Sequence, residues 1–324
     1  MKDYHSVCLN ITEDCNLKCS WCYQQEHRSS RRFSLCHLSF LRDIMQSLNV
    51  SSITFIGGEP TTHPDFISIL GFFADCNVAL ITNGLAFSNP IFLENCMRSG
   101  LNKVALSIKG VNSESFMRCT GSNCFGQFLS SVYNLRKSNI PTSYNFVYSG
   151  DYDDVEIAKA LLQFCRDFSL PFVLVSDVRP YFQSGSIRSF ANLSSKFEHF
   201  CQDLLEGGIE IVVRPNNPLC YYSTSFISEM MQQGRLQIQC SVRQGGRLHF
   251  NTNLDIILCN EISNVCLGKM NLDYTTPKEF LLYLSNLRND TNLSKLSTCC
   301  PSLKCVYCDL WSQCGGSCLL HWIR

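Results

Sequence analysis

Residues 6–23 have the sequence SVCLNITEDCNLKCSWCY, which sets three cysteines directly after a short apolar run. The run alternates β-branched and apolar side chains, a pattern typical of a buried strand. Cys15, Cys19 and Cys22 follow on one short loop. A [4Fe–4S] cube normally takes four thiolates, so three from one loop would leave one iron open to another molecule. A zinc site that lacks one ligand, with His27 as the candidate, is the alternative interpretation.

The first 180 residues alternate short β-branched runs with longer helical patterns. The predicted strands are Ser6–Ile11, Ser52–Ile56, Asn77–Thr82, Lys103–Ile108, Ser143–Ser149 and Phe172–Val178. The predicted helices are His37–Leu48, Pro64–Ala74, Asn89–Ser99, Phe125–Ser138 and Val155–Phe168. Strands that alternate with helices indicate an α/β fold with a parallel sheet and helices outside it. Ligands of such sheets bind beyond the carboxyl ends of the strands.

A second motif, Gly57-Gly58-Glu59-Pro60, follows the second predicted strand, at the same edge of the sheet as the cysteine loop. The loop has the pattern Cys-x3-Cys-x-aromatic-Cys, with Trp21 at the aromatic position. Together the two motifs resemble those of the radical S-adenosylmethionine (SAM) superfamily. The resemblance implies a partial (β/α)6 barrel in which SAM binds the open iron. Its reductive cleavage would give a 5′-deoxyadenosyl radical that abstracts a substrate hydrogen.

The same resemblance implies which residues bind the cofactor. Gly57 and Gly58 would permit close backbone approach, and Glu59 would contact the methionine ammonium of SAM. The other cofactor-binding residues that it implies are Trp21, Pro60, Ser107, Lys109, Arg118 and Asn145. Ordinary strand polarity is the alternative for Ser107 and Asn145. For Arg118, which is predicted to lie in a loop, the alternative is an exposed position without a ligand.

A second group of cysteines has the spacing Cys305-x2-Cys308-x5-Cys314-x3-Cys318. A zinc ribbon is the general alternative for paired cysteines. The spacing resembles that of the SPASM extension, which holds auxiliary [4Fe–4S] clusters in many radical SAM enzymes. The resemblance implies that a first auxiliary cluster is bound by Cys240, Cys259, Cys318 and Cys220, and a second by Cys305, Cys308 and Cys314.

The number of auxiliary clusters stays open at one or two. In the full SPASM pattern a further cysteine follows Cys318 and completes the second cluster, and this sequence has none there. The second cluster would then be completed by Cys299, Cys300 or His321, or would keep an open iron. The third possibility is a single auxiliary cluster, as in the shortened twitch relatives.

The amino-acid composition of the sequence changes near residue 180. Beyond it Gly, Asn, Ser and Cys become more frequent, and Leu248–Leu258 is predicted to form one β-hairpin that turns at Asn253. We therefore predict a radical SAM core domain at residues 1–180. A small Cys-rich α+β auxiliary-cluster domain would follow at residues 181–324, where bound metal supplies what a small core lacks.

Bulk composition excludes several classes of protein. The chain has 324 residues, 45% of them hydrophobic, with 27 basic and 27 acidic side chains. No run of Lys and Arg suggests nucleic-acid binding, and no apolar stretch suggests a membrane span. Twenty-one cysteines in so long a chain without a secretory signal do not suit a disulfide scaffold. We therefore expect a cytoplasmic protein that binds neither nucleic acid nor membrane.

The resemblance leaves the substrate open. SPASM and twitch enzymes mostly modify ribosomally made peptides, by epimerisation or crosslinking, so a peptide substrate is expected. A small-molecule or sugar epimerase or dehydrogenase is the alternative, and a non-enzymatic metal-binding interaction protein is the third. A reductant such as flavodoxin or ferredoxin would supply the electron. If the reaction is an epimerisation, Cys119 and Cys124 are the candidate hydrogen donors, although a structural thiol is the simpler interpretation of each.

Overall fold

A computed structural model describes residues 4–24, 28–150, 153–178, 190–238, 240, 242, 245–289, 300 and 302–319. The strands of these residues, numbered β1 to β10 in chain order, are Ser6–Thr12, Ser52–Gly57, Asn77–Thr82, Leu101–Ile108, Thr142–Tyr148, Val173–Asp177, Ile211–Val213, Arg247–Phe250, Ile256–Ile257 and Cys266–Gly268. The helices, numbered α1 to α11, are Leu38–Ser47, Phe66–Phe72, Pro90–Arg98, Ser113–Thr120, Phe125–Ser138, Asp154–Asp167, Phe190–Glu206, Thr224–Gln232, Pro277–Arg288, Leu303–Val306 and Trp311–Cys314.

The strands form one sheet in the order β10-β9-β8-β1-β2-β3-β4-β5-β6-β7. From β8 to β7 all neighbours are parallel, while β8, β9 and β10 pair antiparallel. The sheet is not closed, because β7 and β10 are its two edges. The predicted α/β partial barrel is confirmed. All the parallel strands direct their carboxyl ends to one edge, where the cysteine loop follows β1.

The predicted strands and helices of the first 180 residues lie within two residues of the observed ones. The hairpin prediction is confirmed by β8 and β9, which pair through His249–Ile257 and Phe250–Ile256. The strand β8 lies beside β1, so the region after residue 180 adds strands to the same sheet. The domain boundary near residue 180 stays a prediction.

One helix, α4, falls where a loop was predicted. Asn112 caps its amino terminus, because its side chain accepts a hydrogen bond from the backbone of Ser115. Gly121 ends the helix in the left-handed conformation. Arg118 and Cys119 therefore lie on a helix, and the loop prediction for Arg118 is wrong.

The side chains alternate between two environments along the central strands. In β5, Tyr144, Phe146 and Tyr148 are buried under the helices, whereas Ser143 and Asn145 face the inside of the barrel. The same period of two holds in β2, in β3 and in β4 from Lys103 onward. The polar residues of the sheet are thereby directed into one interior space. No helix in the described part of the chain is long and apolar enough to cross a membrane.

Candidate active site in the barrel

The inside of the barrel holds a cavity of about 710 Å³. Inward-facing residues of β2 to β6 line it, together with the cysteine loop at the carboxyl ends of the strands. The sequence-predicted residues on its wall are Cys15, Cys19, Cys22, Trp21, Gly57, Gly58, Glu59, Ser107, Lys109 and Asn145. Ser107 and Asn145 are direct partners in the β4–β5 register. Folding therefore brings most of the predicted site together.

The two glycines after β2 fix the start of the cysteine loop. The amide of Gly58 donates to Thr12 O at 2.7 Å, and the amide of Glu59 donates to Asp14 O at 2.8 Å. A Cβ atom on Gly58 would lie within 3.0 Å of the Asp14 backbone, and one on Gly57 within 3.0 Å of Thr12 O. Only glycine permits this approach, so the motif positions Cys15 through the residues that precede it.

The far side of the loop is bound to the end of α4. The amide of Lys18 donates to Thr120 O at 3.1 Å, and that of Ser20 donates to Cys119 O at 2.8 Å. The thiol of Cys119 also forms a hydrogen bond with the thiol of Cys19. That hydrogen bond, more than any other cause, lowers the pKa of Cys19, and the positive charges of Lys109 and Arg28 act in the same direction. The loop is thus held from two sides.

The pKa of Cys15 moves the opposite way. Burial raises the pKa of Cys15 to about 11, and a hydrogen bond from the backbone of Leu17 opposes that increase only in part. Because a metal binds the thiolate, iron would have to displace a proton from Cys15 at neutral pH.

Glu59 joins the ends of three segments. Its Oε1 accepts from the hydroxyls of Thr61 and Thr82, both at 2.7 Å, and its Oε2 accepts from the amide of Asn83 at 2.8 Å. The side chain of Asn83 in turn donates to Asn16 Oδ1 in the cysteine loop at 2.8 Å. Glu59 is completely buried, and burial raises its pKa. The amide of Thr61 also donates to Oε1, at 3.2 Å, and these four hydrogen bonds hold the ends of β2 and β3 together.

Trp21 and Lys109 form a contact above the cavity. The Nζ of Lys109 lies 4.2 Å from the centre of the Trp21 ring, within the range of a cation–π interaction. The contact ties the loop after β4 to the cysteine loop. Lys109 also supplies a positive charge near the thiol of Cys19.

Four predicted residues are not among those that line the cavity. Pro60 is buried at the start of a 3-10 turn. Arg118 lies half-exposed on α4 in an ion pair with Glu114 at 2.5 Å. Cys119 is buried against Cys19, and Cys124 accepts a hydrogen bond from Ser122. Neither of the two candidate hydrogen donors therefore reaches the cavity, since helix α4 turns Cys119 toward the cysteine loop.

Sequence reasoning missed several charged residues of the cavity. Four cationic side chains join Lys109 on the wall, and they are Arg28, Lys103, Arg214 and Arg247. The buried Nε and Nη2 atoms of Arg28 have no hydrogen-bond partner among the described residues. Its charge lowers the pKa of both Cys15 and Cys19. No local motif marks these residues, because they converge from distant strands and loops.

The arrangement fits an iron–sulfur cluster with a bound cationic sulfonium ligand. Three thiols share one wall, and a backbone approach that a Cβ would block holds their loop. The described residues contain no group of three Cys, His, Asp or Glu gathered around a single ion. A cube spreads its thiolates around a larger core than one ion does. The alternative zinc ligand His27 lies outside the described residues.

The auxiliary cysteines are the second group of candidate metal ligands. Cys314 is buried and accepts a hydrogen bond from the amide of Leu219 at 3.5 Å. The described auxiliary thiols that are half-buried or exposed are Cys220, Cys240, Cys259, Cys305, Cys308 and Cys318. Cys300 is half-buried, while Cys299 and His321 lie outside the described residues.

Comparisons with known proteins identify the family. Residues 9–164 match the model of the radical SAM superfamily. The chain is 29% identical over 136 residues to the GTP 3′,8-cyclase of Shewanella denitrificans, covering 40% of either protein. It is 25% identical over 248 residues to the probable GTP 3′,8-cyclase of Methanocaldococcus jannaschii, covering 69% of this chain and 81% of that protein. The chain thus spans about two fifths of the length of the first curated relatives it matches.

Two solved structures share the fold over almost the whole chain. Streptococcus suis SuiB bound to the precursor peptide SuiA superposes with a TM-score of 0.69 at 17% identity, covering 99% of this chain and 73% of SuiB. The protein anSMEcpe with bound AdoMet superposes with a TM-score of 0.71 at 16% identity, covering 98% of this chain and 86% of anSMEcpe. Residues 9–164, which carry the cysteine loop and the glycine motif of the cavity wall, are therefore a radical SAM domain.

Proposed function

We propose that Cys15, Cys19 and Cys22 bind a [4Fe–4S] cluster whose open iron holds SAM, and that the chain cleaves SAM to begin radical chemistry on a peptide. One observation supports this most. The three thiols and the Gly57-Gly58 approach meet on the wall of the same interior cavity. When bound and reduced, the cluster supplies the electron that breaks a carbon–sulfur bond of SAM and so provides a hydrogen-abstracting radical.

The residues of the chain position the reactants and exclude water. Backbone hydrogen bonds fix the cysteine loop on the side of Gly58 and on the side of α4. Such fixation matters because a misplacement of about 1 Å costs on the order of 100-fold in rate. The small and apolar inner residues Ala79, Ile81 and Ala105 leave room for a ligand while they keep the wall dry. The charges of Lys109 and Arg28 offset the negative charge of the thiolates.

A cleavage assay tests this proposal. Protein reconstituted with iron and sulfide under anoxic conditions, then given dithionite and SAM, is expected to yield 5′-deoxyadenosine. Replacing Cys15, Cys19 and Cys22 together by Ala is expected to abolish the product while iron remains in the auxiliary region. Cys36→Ala is the matched control, because this cysteine is exposed outside the cavity. Unchanged cleavage in the triple variant would refute the assignment.

A peptide is the preferred substrate class. The fold likeness to SuiB, whose structure contains its precursor peptide, covers nearly the whole chain, including the region after residue 180. Of the described cysteines, only Cys15, Cys19 and Cys22 line the cavity. This favours crosslinking or dehydrogenation over an epimerisation that needs a donor thiol. A reductant such as flavodoxin or ferredoxin would deliver the electron in the cytoplasm, where thiols stay reduced.

Deuterated water separates the two outcomes. A product that has lost two hydrogens supports crosslinking or dehydrogenation. A product of unchanged composition that carries one solvent deuteron at carbon supports epimerisation and would overturn the preference.

The alternative is an anionic small molecule. Five cationic side chains line the cavity: Arg28, Lys103, Lys109, Arg214 and Arg247. Phosphate and carboxylate groups are the natural partners of such a lining, and relatives of the radical SAM domain are named GTP 3′,8-cyclases. Faster SAM cleavage with GTP than with candidate precursor peptides would favour this alternative. The opposite order would favour the peptide.

A further inference from the structure

Cys220 lies on a short 3-10 turn, Leu219–Tyr221, that is docked against the last described segment of the chain. The amide of Leu219, its neighbour, donates to Cys314 Sγ at 3.5 Å. Three residues before the turn, Asn216 O accepts from Ser317 Oγ at 2.8 Å and from the amide of Cys318 at 3.3 Å. The turn is therefore seated on the loop that ends the Cys305–Cys318 motif.

A buried carboxylate holds the turn in this position. Asp177, at the end of β6, has no exposed surface. Its Oδ1 accepts from the amide of Asn216 at 2.6 Å, and its Oδ2 accepts from Tyr222 Oη at 2.7 Å and from the side-chain amide of Asn217. Both flanks of Cys220 are thus tied to the barrel. The position of its thiol is set by the sheet and does not depend on the auxiliary segment alone.

Cys305, Cys308 and Cys314 lie on consecutive turns of one short segment. The amide of Cys308 donates to Cys305 O at 3.3 Å, that of Trp311 to Cys308 O at 2.9 Å, and that of Cys314 to Leu310 O at 2.7 Å. The amide of Leu219, the residue before Cys220, donates to Cys314 Sγ at 3.5 Å, so the turn that carries Cys220 lies against this segment. These three thiols and that of Cys220 therefore share one neighbourhood.

The other auxiliary cysteines lie in or next to segments that form a second small core. Leu319 packs with Leu258 and Ile262 in a small core that also includes Val242 and Cys259. In the sequence, Cys318 directly precedes Leu319 and Cys240 lies two residues before Val242, so both cysteines belong to segments that contribute to this small core. Cys259 also acts electrostatically on Tyr23, next to the cysteine loop. Cys259 therefore lies on the side of the radical site.

We propose that Cys220 is the fourth ligand of the second auxiliary [4Fe–4S] cluster, beside Cys305, Cys308 and Cys314. This reverses the sequence-based expectation, in which Cys220 served the first auxiliary cluster. The assignment rests on the proposed function, because it presumes an iron-loaded auxiliary region. With four thiolates the second cluster has no open iron and does not bind substrate. The first auxiliary cluster then has three thiolates, from Cys240, Cys259 and Cys318.

The test uses the full chain in which Cys15, Cys19 and Cys22 are Ala, so that only auxiliary iron is counted. This background is expected to hold about 8 irons, from two cubes of four. Adding Cys220→Ala is expected to remove about 4 irons, or to convert one cluster to a three-iron form with its own electron paramagnetic resonance signal. Cys266→Ala is the control, because Cys266 is exposed and lies in neither set.

Double variants decide which cluster is affected. Cys220→Ala combined with Cys305→Ala is expected to lose no more iron than either alone, because one cluster is lost in each case. Cys220→Ala combined with Cys259→Ala is expected to affect both clusters. The reverse pattern, or a Cys220 variant with both spectra intact, would overturn the assignment. Auxiliary iron absent from wild type would also overturn it, whereas SAM cleavage by the wild type reports on the proposed function separately.

Discussion

The cysteine loop at residues 15–22 follows a strand whose residues are almost all buried, whereas Cys305, Cys308 and Cys314 lie on or between two helices of four residues each. The amides of Gly58 and Glu59 bind the residues just before the loop, and the loop itself donates backbone hydrogen bonds to the end of α4. In the other segment the side chains of Leu303 and Tyr307 are 85% and 89% exposed. A helix of one turn has almost no stability of its own in water. The first site is therefore formed by the core of the barrel, whereas we expect the second to depend on bound metal for its stability.

Removing iron is expected to produce the largest difference between the two regions, which is a difference in amide protection. Amide protection at residues 303–314 should fall by on the order of 100-fold or more, because local opening there is opposed chiefly by metal binding. Protection in β1 to β5 should change little. Hydrogen exchange of iron-loaded and chelated protein measures both. Equal loss of protection in the two regions would contradict the comparison.

Gly58→Ala probes how rigidly the first site is built. The added Cβ would clash with the backbone of Asp14, so the variant is expected to lose about 1–3 kcal/mol of unfolding free energy. Displacement of the cysteine loop should lower SAM cleavage by about 100-fold. Gly71→Ala is the matched control, since a Cβ on Gly71 meets open space within a helix. That change is expected to stabilise the protein by roughly 0.5–1 kcal/mol.

The same contrast explains what could be predicted from sequence. The strands were predictable because residues such as Phe146 and Asn145 alternate between core and cavity with a period of two. The helix α4 was missed because it is only eight residues long and its cap, Asn112, pairs with Ser115 instead of the usual Glu. The partners of Cys220 could not be predicted from the sequence, because the spacing within a motif does not show which distant segment packs against it.

Asp177→Asn tests how the barrel holds the turn that carries Cys220. An amide cannot accept from all the donors that now meet the carboxylate, so we expect a loss of about 1–3 kcal/mol of unfolding free energy. Burial raises the pKa of Asp177, which means that the folded state binds its proton more tightly than the unfolded state. Wild type should therefore gain unfolding free energy as the pH falls toward that raised pKa, and the variant should gain less. Urea unfolding at two pH values measures the difference.

Arg118→Ala is expected to have the smallest effect, and it checks the one cofactor residue that sequence reasoning put in the wrong element. Arg118 lies half-exposed on α4, paired with Glu114 one turn away and outside the cavity lining. An exposed pair at this spacing contributes about 0.3–0.5 kcal/mol. Unfolding free energy should fall by no more than that, and SAM cleavage should stay at the wild-type rate. Lys109→Gln is the comparison, because it removes the cation from the Trp21 ring and a charge beside Cys19. A rate loss in the Arg118 variant as large as in the Lys109 variant would mean that α4 moves its arginine into the cavity during the reaction.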